Sequence, residues 1–205
     1  MRQRDPERSR QEILVAAEAE FAEKGFFGAR VDEIALVAGI NKRMLYAYFG
    51  DKETLYKQVL FSVFGRMEAL EQELMEKQYT GEALIRAIIS AYFDFLWENP
   101  TFVHILMWEN LNGGKYLQEL ESSRIERSTT RYFVDTLEAG RQDGTFCREI
   151  DPWHTALSLI TTCFANFSNQ YTLSKLFCTD LTSEEALARR KEHTTQIMLA
   201  YMRGR

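Results

Sequence analysis

Cysteine is scarce in this sequence. Its three cysteines are Cys147, Cys163 and Cys178. An odd number without CxxC spacing does not form a framework of paired disulfides, and it is typical of a protein in a reducing cytoplasm. Residues 1–12 are polar and charged throughout, so we expect no secretory signal peptide there.

Long hydrophobic segments and the common catalytic motifs are also missing. The most apolar segment, Ala83–Trp97, contains Arg86 and Asp94 and falls short of a membrane span, which indicates a buried central helix. The three histidines lack metal-ligand spacing, and no HExxH, GxSxG or phosphate-binding loop occurs. The sequence therefore predicts neither an enzyme nor a metal, cofactor or membrane association.

Only three prolines occur, and each is expected to mark the start of a helix. Asp5-Pro6, Asn99-Pro100 and Asp151-Pro152 each place a side-chain acceptor before a proline, which the first helical turn tolerates. Most glycines fall between segments of helical periodicity, and no strand pattern is convincing. These features predict an all-α fold of about nine helices. Two of the longer helices are expected over Lys115–Asp143 and Pro152–Ser174.

The net charge of −5 is unevenly distributed along the chain. Residues 1–60 carry ten basic and ten acidic side chains, whereas residues 61–205 carry 15 and 20. A protein that is acidic overall still binds nucleic acid when its basic groups share one face. The neutral N-terminal segment is therefore where such a face is expected.

The segment Val31–Phe49 has the pattern of two short helices separated by a turn at Gly39. Helices this short are not stable alone, so the preceding helix must supply a platform. The expected platform residues are Ile13, Leu14, Ala17 and Phe21. In the second short helix, Leu45 and Phe49 are four residues apart and are expected to face inward.

The outward face of this second helix has side chains suited to DNA recognition. It is expected to carry Lys42, Arg43, Met44, Tyr46, Ala47 and Tyr48. Lysine and arginine neutralise phosphates and donate to guanine, and tyrosine hydroxyls donate to phosphate oxygens. Asn41 precedes this helix and Lys52 begins the next, so free backbone N–H groups at both starts also suit an anion. A purely structural role for the aromatic residues is the alternative.

A series of residues between Ile13 and Leu60 has a characteristic order and spacing. It comprises Ile13-Leu14, Ala16-Ala17, Phe21, Gly25, Ile34-Ala35, Ala38-Gly39-Ile40, Lys42, Leu45-Tyr46, Tyr48-Phe49, Asp51-Lys52-Glu53 and Leu55-Tyr56. This series resembles the DNA-binding domain of the tetracycline-repressor (TetR) family. By position, the resemblance implies phosphate contacts for Tyr46, Tyr48 and Lys52. It implies base or groove contacts for Lys42, Arg43, Met44 and Ala47.

Three positions depart from the family pattern. Arg30 stands where serine or threonine usually caps the helix, and it is a poor cap but a longer-reaching phosphate ligand. Met44 replaces a smaller or polar residue and is able to touch a thymine methyl group. Ala47 is small where aromatic residues are common, which indicates weak base reading there. The operator sequence therefore does not transfer from a relative.

The resemblance also implies a domain organisation and a function. Residues 1–51 are expected to form a helix-turn-helix DNA-binding domain, and residues 52–205 a ligand-binding and dimerisation domain. The implied protein is a ligand-responsive transcriptional regulator, expected to be a repressor, that binds palindromic double-stranded operator DNA as a homodimer. The alternative is a TetR-like protein that acts through a protein partner rather than DNA, for which the acidic balance leaves room.

Apolar side chains recur at intervals of three and four along the last two predicted helices. In TetR proteins the last two helices of each subunit form a four-helix bundle between subunits, so the resemblance implies a homodimer. The implied interface residues are Leu157, Ile160, Phe164, Tyr171, Ile197 and Tyr201. Two recognition helices must lie about 34–36 Å apart to enter successive major grooves, which a dimer achieves. Packing of these stripes within one subunit is the alternative.

The family binds its effectors in the C-terminal domain, which implies a small organic ligand of unknown identity. The candidate pocket residues are Trp97, His104, Trp108, Tyr132, Phe133, Asn166 and Phe167. A core position is the alternative for each of them. Gly65 lies inside the long fourth helix, where it is either a flexible point that relays ligand binding or a site of close packing.

Overall fold

The computed structural model describes residues 5–120, 128–147 and 149–204, without the side chains of residues 128–130 and 132. Within these ranges all regular structure is helical, so the predicted all-α fold is confirmed. The helices are α1 (Pro6–Gly28), α2 (Val31–Val37), α3 (Lys42–Phe49), α4 (Lys52–Glu76), α5 (Gly81–Glu98), α6 (Pro100–Leu111), α7 (Lys115–Gln118), α8 (Ser128–Asp143), α9 (Pro152–Ser168), α10 (Gln170–Leu176) and α11 (Glu184–Arg203).

All three Asx-Pro pairs start helices as predicted, at Pro6, Pro100 and Pro152. An Asp5 carboxylate oxygen accepts a hydrogen bond from the Glu7 N–H at 3.0 Å, and Asp151 accepts from the His154 N–H at 2.9 Å. Asn99 behaves differently, because its side-chain amide donates to the Phe95 carbonyl at 2.9 Å. Asn99 therefore closes α5, and the prediction that its side chain acts as an acceptor is wrong.

Two predicted long helices are wrong. The helix expected over Lys115–Asp143 is not continuous, because α7 ends at Gln118 and Glu119 and Leu120 are no longer helical. The helix expected over Pro152–Ser174 ends at Ser168, because Asn169 adopts φ −113° and ψ 12°. The Asn169 side chain bonds the Ala165 carbonyl, and such local bonds compete with helix continuation. These two interruptions explain why the described residues form eleven helices rather than nine.

Contacts divide the chain into two compact units. Unit 1 comprises Met1–Arg66 and Thr101–Glu126, and unit 2 comprises Met67–Pro100 and Arg127–Arg205. The boundary predicted between residues 51 and 52 stays a prediction.

The core of unit 1 is built on α1. Ile13, Ala17 and Phe21 are buried, which confirms three of the four predicted platform residues, whereas Leu14 is only partly buried. Helix α2 packs against α1, and α3 packs against α2. The side chains that these helices and α4 bury with the platform include Ile34, Leu45, Leu55, Tyr56 and Leu60.

The core of unit 2 is built on α5, which contains the apolar segment Ala83–Trp97. Helices α9 and α11 both pack against α5, and α8 packs against α9. The rings of Phe93 and Phe167 meet edge to face, with centroids 5.6 Å apart. Among the described residues, no helix combines the length and apolarity needed to cross a bilayer.

Candidate DNA interface and effector region

The turn between α2 and α3 is a compact helix stop followed by a capped start. Gly39 has φ +63°, the Ile40 N–H bonds the Ala35 carbonyl at 3.0 Å, and the Gly39 N–H bonds the Leu36 carbonyl at 3.1 Å. This is the Schellman pattern, which needs a left-handed residue after the helix. The Asn41 side chain then accepts from the Met44 N–H at 2.8 Å, so α3 starts as predicted.

The two faces of α3 differ as the sequence predicts. Leu45 and Phe49 are buried in unit 1, and the guanidinium of Arg10 lies 5.1 Å from the centre of the Phe49 ring. The remaining side chains are at least partly exposed, and we call them the recognition surface. It consists of Lys42, Arg43, Tyr46 and Ala47, which are exposed, and Met44 and Tyr48, which are partly exposed.

One basic side chain of the recognition surface already has an acidic partner. The Lys42 ammonium lies 3.0 Å from each carboxylate oxygen of Asp32, at the start of α2. The hydrogen bond to Asp32 raises the pKa of Lys42, so this ammonium stays charged. Exposed pairs of this kind are weak because solvent screens both charges, so another anion is able to replace Asp32.

The other predicted basic contacts, Arg30 and Lys52, have different surroundings. Arg30 precedes α2 and makes no side-chain cap, as predicted, and its side chain is exposed. The Lys52 ammonium donates to the Ala29 carbonyl at 2.6 Å and lies 4.9 Å from the centre of the Phe26 ring. Burial lowers the pKa of Lys52. Lys52 therefore ties the start of α4 to the end of α1.

Helix α6 packs closely on α1 within unit 1. The Trp108 indole N–H donates to the Ala22 carbonyl at 3.2 Å, and its ring covers Gly25. A Cβ atom on Gly25 would lie 2.7 Å from that ring, so the contact requires glycine. Gly25 also interrupts α1 at φ +66° and ψ +177°, which agrees with the predicted stop.

The residue after Trp108 makes a second buried contact in unit 1. The Tyr56 hydroxyl, on α4, donates to a Glu109 carboxylate oxygen at 2.9 Å, and the other oxygen accepts from the Leu117 N–H at 3.0 Å. Glu109 is only 3% exposed, and burial raises the pKa of Tyr56, which keeps the hydroxyl a donor. The Tyr56 ring also packs edge to face on Tyr116. Helices α4, α6 and α7 are thus joined by direct hydrogen bonds.

An ion pair joins α1, α4 and α6 at another point of unit 1. The Arg66 guanidinium donates to both Glu18 oxygens at 2.7 and 2.9 Å, and the Thr101 hydroxyl also donates to Glu18. Burial raises the pKa of Glu18, but the hydrogen bonds from Arg66 and Thr101 outweigh it and the net pKa is lowered. The charged pair is therefore the stable form at neutral pH.

The seven predicted effector residues fall in both units. His104 and Trp108 lie on α6 in unit 1, where Trp108 is engaged with α1. Unit 2 contains the other five, of which Phe133, Asn166 and Phe167 are buried. Trp97 is half exposed and lies beside a surface groove between α5 and α11. The side chain of Tyr132 lies outside the described part of the chain.

The residues predicted for dimerisation differ in exposure. Leu157, Ile197 and Tyr201 are exposed on α9 and α11, and Ile160 and Phe164 are partly exposed. Tyr171 is exposed but lies on the separate helix α10. Trp153 on α9, which the sequence reasoning did not include, is also exposed. Two helices that contact each other thus carry apolar side chains on their surface.

Comparison with known proteins identifies the family of the chain. The family model described as "Bacterial regulatory proteins, tetR family" matches residues 13–59. A second model, "Tetracyclin repressor-like, C-terminal domain", matches residues 82–198, more than half of the chain. The chain belongs to the TetR family. It is therefore a transcriptional regulator, which confirms the function class that the sequence resemblance implies.

Individual TetR relatives agree with the family match. The HTH-type transcriptional repressor NicS of Pseudomonas putida is 31% identical over 189 residues, covering 92% of this chain and 89% of NicS. The fatty acid degradation regulator FadR of Bacillus halodurans has the same fold, with a TM-score of 0.73, 20% identity and full coverage of both chains. FadR of Bacillus subtilis, solved with stearoyl-CoA, has a TM-score of 0.71 and 18% identity, and covers 94% of this chain and 98% of its own.

The structure adds contacts to the TetR pattern that sequence reasoning did not identify. The pattern contains Gly25 and Tyr56, but their partners Trp108 and Glu109 are more than 50 residues away. The adjacency of Trp108 and Glu109, an aromatic and an acid in an apolar helix, was the one available signal. Asp32 is also outside the pattern, and only the folded turn brings it to Lys42.

Proposed function

We propose that this TetR protein is a ligand-responsive repressor that binds palindromic double-stranded operator DNA as a homodimer. The observation that carries the proposal is that α3 has one buried face and one exposed face. Leu45 and Phe49 are buried in unit 1, which leaves Lys42, Arg43 and Tyr46 exposed on a helix that a major groove can admit. The names of relatives such as NicS support repression.

The side chains of the recognition surface have distinct proposed roles. Lys42 and Arg43 lie in the first turn of α3, where they contact phosphates or guanine. Tyr46 and Tyr48 donate to phosphate oxygens. Met44 and Ala47 present only apolar atoms, so they read thymine methyl groups at most.

Two predicted phosphate ligands lie outside α3. Arg30 is exposed before α2, and its length lets it reach the DNA backbone. Lys52 acts differently, because its ammonium is bonded to Ala29. Its proposed contact with phosphate is through the backbone N–H groups at the start of α4. Its side chain instead keeps the end of α1 in place.

The proposed dimer uses α9 and α11. Leu157, Ile197 and Tyr201 are exposed by 42%, 52% and 52% of their surface, and Trp153 by 57%. Clustered exposed apolar residues are typical of interaction surfaces. A four-helix bundle formed with the same helices of a partner would bury them.

The proposed effector is a small organic molecule, held among Phe133, Asn166 and Phe167 of unit 2 or at α6. Helix α6 is the proposed output of ligand binding, because it contacts both α1 and α4 through Trp108 and Glu109. Ligand releases DNA only if it binds the DNA-incompetent conformation more tightly. The effector's chemical identity is left to ligand screening against the recovered operator.

The test is selection of bound duplexes from random DNA at one stated salt concentration, using the full chain. Recovery of a palindromic site is expected. Lys42→Ala should weaken binding to that site about tenfold, since a contact of this kind contributes about 1–3 kcal/mol. Tyr46→Phe should weaken it less, because it removes one hydroxyl.

Lys77→Ala is the matched control for Lys42→Ala. Lys77 is 49% exposed and paired with Glu73, much as Lys42 is 47% exposed and paired with Asp32, but it lies directly after α4. It should leave binding unchanged. If no sequence is enriched, or if Lys77→Ala weakens binding as much as Lys42→Ala does, the DNA-binding proposal is wrong. Pull-down experiments would then test a protein partner.

A further inference from the structure

Asp32 brings a negative charge to the edge of a surface that is proposed to meet polyanionic DNA. The Asp32 and Lys42 side chains are 60% and 47% exposed, and the ammonium is equidistant from both carboxylate oxygens at 3.0 Å. The pair is therefore open to solvent and accessible to a phosphate. DNA cannot contact Lys42 without either displacing Asp32 or approaching its carboxylate.

The pairing involves one cation of the surface and not the others. Among the described residues, no ion pair is formed by Arg30, which precedes Asp32 in sequence, or by Arg43, which follows Lys42. Glu33 is adjacent to Asp32 in sequence, yet it forms no ion pair with Lys42. The geometry of the turn therefore selects one acid and one base.

The helix ends explain why this acid holds this base. Lys42 is the first residue of α3, where the helix dipole disfavours a cation, and Asp32 is in the first turn of α2, where the dipole favours an anion. Without an anion nearby, the Lys42 ammonium is a ready ligand for any phosphate. With Asp32 in place, this ammonium is partly neutralised before DNA arrives.

We propose that Asp32 is a specificity-determining residue of the DNA interface, which holds Lys42 until a duplex in the correct register supplies an acceptor to replace it. This inference rests on the proposed DNA-binding function. Unrelated DNA experiences the repulsion from Asp32 without a well-placed contact to Lys42. Operator DNA experiences the same repulsion. The contact that Lys42 makes with it in the correct register compensates for that unfavourable free energy.

The experiment compares Asp32→Asn with Glu33→Gln, which removes the same charge one residue further along α2. Each full-length variant is titrated with a mixed-sequence duplex and with the duplex recovered by selection, over a range of salt concentrations. Asp32→Asn should raise affinity for the mixed duplex about tenfold and steepen its salt dependence by about one unit, because one more cation is available to release counterions. The selected duplex should gain about threefold or less, and Glu33→Gln should change either affinity by less than about twofold.

Repeating Asp32→Asn in a Lys42→Ala background shows whether the effect passes through Lys42. The gain on the mixed duplex should disappear there. The inference is overturned if the gain persists, if Glu33→Gln gives the same gain, or if both duplexes gain equally. Thermal unfolding checks that the variants are folded. If the Asp32→Asn variant is not folded, Asp32→Ser is used in its place. A wild-type chain that binds neither duplex overturns the DNA-binding function itself.

Discussion

Gly25 occupies a position that only glycine fits, for two separate reasons. Its backbone angles of +66° and +177° lie in a region that L-residues rarely adopt, and the Trp108 ring leaves no room for a Cβ atom. The sequence identifies Gly25 as a helix stop from its place after a periodic segment. It does not identify the second reason, because Trp108 is distant along the chain.

Gly25→Ala should lower the free energy of unfolding by about 3 kcal/mol, since backbone strain and overpacking add. Gly113→Ala is the control, because Gly113 has φ +70° and a Cβ atom there would have no neighbour within 4 Å, and it should lose about 1 kcal/mol. Urea unfolding measures both variants. If both variants lost the same free energy of unfolding, the Trp108 ring would not restrict the side chain at position 25.

The Gly25–Trp108 contact can also be isolated by a double-mutant cycle. Trp108→Leu alone should destabilise the protein, because it removes the indole hydrogen bond to Ala22 and leaves a cavity. Added to Gly25→Ala, the same change should cost less, because the clash is relieved. Strict additivity would contradict direct contact between the Trp108 ring and the residue at position 25.

At the scale of helices, the sequence predicts those whose ends are set by local chemistry. The start of α3 at Asn41 and the stop at Gly39 depend on a capping side chain and on a glycine with positive φ, both of which are local. The breaks near Gln118 and Asn169 fall within apolar periodicity that continues across them. Periodicity alone therefore merged helices that the folded chain separates.

Helix α4 allows a test of its internal glycine. A Cβ atom on Gly65 would have nothing within 4 Å, so close packing does not explain this residue. Gly65→Ala should raise the free energy of unfolding by about 0.5–1 kcal/mol, because alanine loses less backbone entropy in a helix. Thermal unfolding measures this change.

The same variant tests the hypothesis that Gly65 is a flexible point. If α4 must flex there, Gly65→Ala should reduce ligand-linked release of DNA while stabilising the protein. Unchanged release together with higher stability would exclude the hypothesis. A loss of stability would contradict the open surroundings of this residue.

At the scale of the whole molecule, the proposed homodimer makes its own prediction. Leu157→Asp places a charge on the exposed apolar surface of α9, so the variant should be monomeric by light scattering and should lose affinity for a palindromic site. Leu111→Asp, at an exposed position at the end of α6, should remain dimeric. A wild-type chain that is already monomeric would contradict the proposed interface.

The candidate DNA interface could be predicted further than the effector region. The recognition surface depends on neighbouring residues within Val31–Phe49, and its buried and exposed faces are as expected. The effector candidates depend on which helices meet across long stretches of sequence. Trp108 illustrates the difference, because its contact with Gly25, 83 residues away in sequence, is visible only in the folded chain.

Unit 1 contains two separate segments of the chain, which affects how its DNA-binding part can be fused to other proteins. Its core is completed by Thr101–Leu120, since Trp108, Glu109 and Tyr116 pack against residues of α1 and α4. A hybrid made by fusing residues 1–66 to a foreign sensor would expose an aromatic cluster to water and leave the Tyr56 hydroxyl without its carboxylate. Exchange of DNA specificity is better attempted by grafting α3 and the turn before it. Evolution by shuffling intact halves meets the same obstacle, whereas point changes on the recognition surface do not.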